Sequence, residues 1–151
     1  MRLLPNLSKF ARLSPHERPL LLTSVVLLPV MAAALRVAGF ARIHRWLANP
    51  FVQRRTRRDA EPHALAALVN AASNNLPIRC SCLTRSLLLD WMLRRRGVDS
   101  ELRFGVRLID GRLQAHAWVE FNGAPLNDSA DVAERFAPFD GRVPPRLRAA
   151  P

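Results

Sequence analysis

The stretch that most constrains the fold reads CSCLTRS and occupies residues 80–86. Behind it, apolar residues recur at helical spacing as far as three consecutive arginines, and Gly97 follows as a stop signal. The pattern predicts a helix over residues 82–96, with Ser81 as N-cap and Cys82 on the first turn. Free backbone N–H groups and the helix dipole favour an anion there, and a cysteine acts as a nucleophile in its anionic form.

A cysteine in this position can also be a small buried hydrophobic residue, which is the commoner fate of a cytosolic cysteine. The downstream sequence favours the nucleophile. Residues 100–121 alternate apolar and polar side chains, which predicts two strands joined by a hairpin turn at Asp110-Gly111. His116 lies on the second strand, opposite its row of small apolar residues, so we expect it away from the simple core face.

An acid follows on a possible third strand, at Asp128. A three-residue loop over residues 121–123, with a left-handed bulge glycine, would pair Glu120 with Ala124. His116 would then lie directly opposite Asp128, whereas a two-residue turn would put the acid on the wrong face. We therefore predict the three-residue loop, with the carboxylate bonded to one imidazole nitrogen.

Several short motifs share one family pattern, and they are Cys82-Leu83 with Arg85-Ser86, residues 88–97, Val106, residues 116–120, Asn122-Gly123 and Asn127-Asp128. Together they resemble the transglutaminase-like cysteine peptidases of lasso-peptide biosynthesis, over roughly residues 74–128. The resemblance implies Cys82 as nucleophile, His116 as base and Asp128 as orienting acid. It also implies an α+β fold with a transglutaminase-like or papain-like core, in which the cysteine-bearing helix packs on an antiparallel sheet behind an N-terminal helical region.

Enzymes of that family remove the leader from a ribosomally made precursor, so that a separate ATP-dependent macrocyclase can close the core peptide. The resemblance thus implies a cysteine peptidase whose partners are the precursor peptide, a separate small leader-binding protein and, as a further candidate, the macrocyclase. The wider superfamily also contains acyl transferases, and the alternative is a non-catalytic module that only binds a peptide or partner. The Cys82 N–H is a natural oxyanion donor, and Asn74 and Asn75 are candidates for the second donor.

Composition agrees with a small intracellular enzyme. The 151 residues are 49% hydrophobic and 23% charged, which suits one domain with a real core. The two cysteines lie too close together for an unstrained disulfide at a helix start, which favours a reducing compartment and a cytoplasmic location. Cys80, Cys82 and His116 lack an evident fourth zinc ligand, so we expect neither a metal nor another cofactor.

The net charge of +11 is concentrated in the first 60 residues. Only one of the 23 basic residues is lysine, no recognised nucleic-acid motif is present, and no aromatic residues interleave with the arginines. We therefore expect no nucleic-acid partner. An acidic peptide, an acidic protein or peripheral contact with a membrane surface fits the charge equally well, and the default interpretation is a solvated, arginine-rich face.

The N-terminal third contains an apolar run over residues 20–35. It is shorter than the roughly 20 residues of a spanning helix and contains Pro29. A capping-box pattern from Ser14 to Glu17 precedes it, so we predict a bent helical hairpin from about Ser14 to Leu47. The predicted organisation is a basic helical region with a linker over residues 1–60, a catalytic core over 61–140 that opens with a helix at about 62–72, and an extended tail over 141–151.

Overall fold

The computed structural model describes residues 13–49 and 61–139. In these ranges the chain forms five helices and four strands, which are α1 (Glu17–Ala38), α2 (Phe40–Leu47), α3 (Pro62–Asn75), α4 (Cys82–Arg94), β1 (Glu101–Ile109), β2 (Arg112–Phe121), β3 (Ala124–Pro125), α5 (Val132–Arg135) and β4 (Ala137–Pro138). The predicted α+β class is confirmed. The predicted linker over residues 49–59, except for Asn49, and the predicted tail over residues 141–151 lie outside the described residues.

The first of the two N-terminal helices, α1, begins with the predicted capping box. The Ser14 N–H donates to the Glu17 carboxylate at 2.8 Å, and the Glu17 N–H donates to the Ser14 hydroxyl at 3.3 Å. Helix α1 continues through Pro29, and the chain breaks instead at Gly39, whose φ of +76° suits a residue without a side chain. The break between helices is therefore set by the glycine.

Helix α1 is long and apolar enough to cross a membrane by length and composition, and 17% of its 18-residue apolar window is buried. Its inner face carries Ser24, Leu28 and Met31, all of them buried. Leu28 and Met31 belong to one hydrophobic core with residues of the later helices and of β2, which include Leu47, Leu65, Val69, Leu88 and Val119. The N-terminal helices thus share a core with the cysteine-bearing helix.

Helix α4 starts where the sequence predicts. The Ser81 hydroxyl accepts from the Thr84 N–H at 3.1 Å, which confirms the N-cap. The helix ends at Arg94, two residues before the predicted end, and a tight final turn leads to Gly97 at a φ of +74°.

A buried carboxylate ties the end of this helix to the sheet. Asp90 accepts from the Arg94 guanidinium at 2.9 Å and from the Ser100 hydroxyl at 2.8 Å. Arg94 also donates to the Ser100 carbonyl at 2.9 Å. Burial raises the pKa of Asp90, although both partners oppose that shift. The last turn of α4 is therefore held beside the start of β1.

The sheet has the strand order β3-β2-β1-β4. Strands β1 and β2 pair antiparallel from Glu101 opposite Glu120 to Ile109 opposite Arg112, which confirms the predicted hairpin. Both residues of its turn, Asp110 and Gly111, have positive φ. This is the turn geometry that matches the twist of paired strands.

The predicted register of the third strand is wrong. Phe121 pairs with Ala124, so the loop is a two-residue turn of Asn122 and Gly123, with φ of +52° and +77°. Asparagine and glycine tolerate positive φ at both positions, so the tight turn is preferred over the three-residue loop. Strand β3 then ends after Pro125.

The face of β2 that carries His116 is also more enclosed than expected. Trp118, on the same face, is fully buried in a second small core with Val132 and Phe136. Residues 129–138 return across this face, and β4 pairs with β1 through Gly105 opposite Pro138. The sheet is therefore covered on both faces at the level of Trp118.

Candidate active site

The imidazole of His116 and the carboxylate of Asp128 are in direct contact. The His116 Nε2 and Asp128 Oδ2 atoms lie 2.6 Å apart, and both side chains are largely buried. The predicted hydrogen bond is present, although the register proposed for it is not. Their catalytic roles stay predictions.

Asp128 reaches His116 because the chain leaves the sheet before it. The last ladder bond runs from the Leu126 N–H to the Val119 carbonyl at 2.8 Å. At the next residue, Asn127, the side chain and not the backbone bonds to β2. Its Oδ1 atom accepts from the Val119 N–H at 2.8 Å. The strand alternation that would have put Asp128 on the wrong face therefore no longer applies.

The second oxygen of Asp128 is held from the other side. Its Oδ1 atom accepts from the Ser129 N–H and from the Arg135 Nη2 group, each at 2.8 Å. Arg135 also pairs with Asp131 at 3.2 Å. Partial burial raises the pKa of Asp128, but hydrogen bonds from His116 and Ser129 outweigh it, so the pKa lies below its usual value. The carboxylate is thus held in its charged form.

Aromatic rings pack against the imidazole. Phe136 stacks on His116 with ring centroids 4.6 Å apart, and Trp118 lies 6.2 Å away. Gly105 is the β1 partner of His116, and a Cβ atom there would come within 2.9 Å of the Phe136 Cβ and 3.0 Å of Trp118. The absence of a side chain at Gly105 therefore lets both rings lie close to the imidazole.

The two cysteines occupy different environments. Cys82 is a half-buried free thiol on the first turn of α4, where the N-cap serine satisfies only the Thr84 N–H. The N–H groups of Cys82 and Leu83 have no acceptor among the described residues and are available to an anion. Cys80 precedes the helix and packs against the main core.

Ser86 places α4 beside β2. Its hydroxyl donates to the Ala117 carbonyl at 2.9 Å and accepts from the Asn127 Nδ2 group at 2.8 Å. Asn70 of α3 in turn donates to the Asn127 carbonyl at 3.3 Å. A serine on the helix thus takes the place that β3 would occupy if it continued along β2.

Two anchors then give the direction of α4. Ser86 lies at the level of Ala117, and Arg94 lies near the start of β1, which pairs with the end of β2. Cys82 is one turn before Ser86 on the same helix face, about 6 Å further along, or roughly two strand residues. From this displacement we expect Cys82 at the edge of β2 near Ala115 and His116.

The structure therefore joins His116 to Asp128, and from the direction of α4 we expect Cys82 near the same sheet edge. Among the described residues, no hydrogen bond links the Cys82 sulfur to His116, and none involves the His116 Nδ1 atom. Catalytic hydrogen bonds are often formed only with substrate bound. The Asn75 side chain donates to the Ala71 carbonyl at 2.7 Å, while Asn74 is exposed at the end of α3. The second oxyanion donor stays a prediction.

Sequence reasoning missed the positioning role of Ser86 and Asn127 and the contacts of Arg135 and Phe136. Ser86 carries a visible signal, because it is a polar residue directly before three leucines in a helix. Asn127 carries none, since its role depends on where β3 ends. In residues 13–49 and 61–139, no three histidine, cysteine or acidic side chains gather closely enough to hold a metal ion.

The chain is thus an α+β protein in which a helix that begins with a cysteine is bound to an antiparallel sheet, and a histidine of that sheet bonds to an aspartate. The chain belongs to the transglutaminase-like superfamily, whose family model matches residues 25–139. No curated protein and no solved structure gives a significant match. The matched region includes most of α1 as well as the candidate site.

Proposed function

We propose that this chain is a cysteine peptidase that hydrolyses the leader from a ribosomally made lasso-peptide precursor. The observation that carries the catalytic part is the bond between His116 and Asp128, which uses one imidazole nitrogen and leaves the other without a partner among the described residues. Helix α4, which begins with Cys82, is bound to β2 at Ala117, the residue next to His116. The substrate class is supported by the resemblance of the sequence motifs. Membership of the superfamily supports the coarser proposal of a cysteine hydrolase or acyl transferase.

The hydrogen bond to Asp128 defines the role of each imidazole nitrogen. A charged carboxylate accepts only, so Nε2 carries the proton that it receives, and Nδ1 keeps its lone pair. Nδ1 is then the atom that removes the proton from the Cys82 thiol. Asp128 orients the ring and stabilises the imidazolium that forms.

The reaction proceeds in two halves. The Cys82 sulfur attacks the scissile carbonyl, the oxyanion is stabilised by N–H groups at the start of α4, and the imidazolium of His116 protonates the leaving amine. A thioester then links the N-terminal fragment to Cys82. His116 removes a proton from water, which attacks the thioester and releases a carboxylic acid and the free thiol.

The partners proposed from the resemblance are the precursor, a separate leader-binding protein and the macrocyclase, in the cytoplasm. Arginines on the exposed surface of the N-terminal helices support docking to an acidic leader or partner, because α2 exposes Arg42 and Arg45 and α1 exposes Arg36. Charge reversal at these positions should weaken binding more than chemistry.

Mass spectrometry of the precursor, its leader-binding protein and this chain, mixed without ATP, tests the proposal. We expect two fragments whose masses sum to that of the precursor plus one water. Cys82→Ala serves as the inactive control, and Cys80→Ala as the matched cysteine substitution. Uncut precursor with folded protein and cognate partner would reject the peptidase and favour the non-catalytic binding module.

A further inference from the structure

The edge of β2 beside the candidate nucleophile is open. The N–H and carbonyl of Val119 both bond on the β3 side, to Asn127 and Leu126, and the Ala117 carbonyl bonds to Ser86 on that side. In an antiparallel strand, alternate residues direct both backbone groups to the same side. Ala115 and Leu113 therefore direct their N–H and carbonyl groups to this edge as well.

Nothing in the described part of the chain pairs with these groups. Strand β3 lies opposite Glu120 and Phe121 only, and α4 reaches the edge at Ala117. Ala115 is exposed, and Leu113 is 71% exposed. An unpaired row of donors and acceptors on a sheet edge is a template for another extended chain.

An apolar surface adjoins this open edge. Leu108 pairs with Leu113, and Val106 pairs with Ala115, and these four residues form what we call the apolar platform. They share a sheet face with Ala117 and Val119, which the helices cover, but the platform lies beyond the start of α4. Leu108 is accordingly 69% exposed. A large cross-strand pair of leucines exposed next to a candidate nucleophile is suited to contact an apolar side chain.

We propose that the peptide substrate binds as an additional strand on the β2 edge at Leu113 and Ala115, and places an apolar side chain on the apolar platform. The inference rests on the proposed function, because the site ends at Cys82. Backbone hydrogen bonds along the edge would position the scissile carbonyl at the start of α4, and alternate side chains would face the platform. Continuity of this edge with the position of Cys82 favours the substrate over a second copy of the chain.

The first test uses the full chain with Cys82→Ala, so that binding is measured without turnover. An array of acetylated hexapeptides provides the probes, and each peptide that binds is resynthesised with single backbone N-methyl groups at successive positions. We expect a period of two, in which methylation of alternate amides weakens binding by about tenfold and methylation of the amides between them has little effect. Binding that shows no alternation, or no binding to any array peptide, overturns the proposal.

The second test alters the protein at the same edge. Ala115→Pro removes one donor, and an edge position whose N–H faces outward tolerates proline, so the fold should persist by circular dichroism. We expect about tenfold weaker peptide binding. Leu113→Ser should weaken selectively those peptides that present a leucine to the platform, while Leu22→Ser, at a leucine that is 54% exposed on α1, should not. Equal binding by all these variants contradicts the edge site.

The outcomes separate this inference from the proposed function. Peptides that bind with a period of two but are not cleaved by the Cys82 protein would support the edge site and reject hydrolysis. Precursor cleavage that is indifferent to Ala115→Pro and to alternate N-methylation would support the peptidase and reject the edge site. Concentration-dependent dimers that Ala115→Pro abolishes would identify a second copy of the chain as the occupant and also overturn the proposal.

Discussion

The Ser86 hydroxyl donates to the carbonyl oxygen of Ala117 across 2.9 Å, and this bond joins the helix that carries Cys82 to the strand that carries His116. The same hydroxyl accepts from Asn127, whose neighbour Asp128 binds the imidazole. One buried oxygen atom therefore connects the three segments that carry the candidate triad. We therefore expect its position to influence how closely the cysteine approaches the histidine.

Ser86→Ala should lower both stability and activity. The substitution leaves the Ala117 carbonyl and the Asn127 amide without their partner at a fully buried position, which costs about 1–3 kcal/mol. Chemical denaturation measures the loss, and single-turnover cleavage measures the effect on the approach of Cys82. Thr23→Ala is the matched control, because the Thr23 hydroxyl also bonds a backbone carbonyl but is exposed on α1. A Ser86→Ala protein as active as wild type contradicts the positioning role.

Cys82→Ala should abolish cleavage, and Cys80→Ala should leave it within a few fold of wild type. Only Cys82 lies on the first turn of α4, whereas Cys80 packs against the core. Iodoacetamide labelling followed by peptide mapping gives an independent readout, in which Cys82 should react faster. Turnover that survives loss of Cys82 but not of Cys80 would transfer the nucleophile to the other thiol.

Asp128→Asn should reduce turnover by orders of magnitude without unfolding the chain, because the amide cannot hold the same imidazole tautomer. The pKa of Asp128 is lowered on folding, so its charged form contributes stability above the unfolded pKa of about 3.9. That contribution is lost as the pH falls through the lower folded value. Unfolding curves of wild type and variant should therefore converge in strong acid, and a constant difference at every pH would contradict the assignment.

Arg135→Ala should slow turnover by about tenfold, with KM little changed, because Arg135 holds the oxygen of Asp128 that His116 does not use. Exposed ion pairs contribute at most about 1 kcal/mol, so the melting temperature should barely move. Arg103→Ala is the matched control, since that arginine is similarly exposed, at 36% against 38%, and pairs with Glu101 and Glu120. Equal effects of the two variants on turnover would reject a specific role for Arg135.

Gly105→Ala should destabilise the protein by about 1–3 kcal/mol, because the new methyl group would meet Phe136 and Trp118 at 2.9–3.0 Å. It should also loosen the stacking of Phe136 on His116. A double-mutant cycle with Trp118→Phe measures the coupling, because phenylalanine lacks the indole ring atoms that the new methyl group would meet at 3.0 Å, and we expect the cost of Gly105→Ala to shrink in that background. Additive costs would show that Trp118 is not the residue displaced.

Much of the scaffold follows from local sequence signals. Ser81 predicted the N-cap of α4, and Gly97 predicted the end of that helix. Asp110-Gly111 predicted the hairpin turn, whose register places His116 opposite Gly105. These features depend on neighbouring residues only, so a single sequence contains the needed information. The register predicted after Asn122-Gly123 was wrong, because the local sequence allowed two loop lengths. Only the observed pairing of Phe121 with Ala124 distinguishes them.

The contact between His116 and Asp128 shows most clearly which features follow from the sequence and which depend on the tertiary structure. By itself, the sequence determined which residue types were available for a nucleophile, a base and an acid, and on which elements the nucleophile and the base lie. Only the tertiary structure decided how the acid reaches the base, because that depends on β3 ending at Pro125 and on Asn127 and Ser86 taking over the free edge of β2. Those bonds join residues far apart in the chain, and their formation depends on the packing of α4 against the sheet and of α3 against α4.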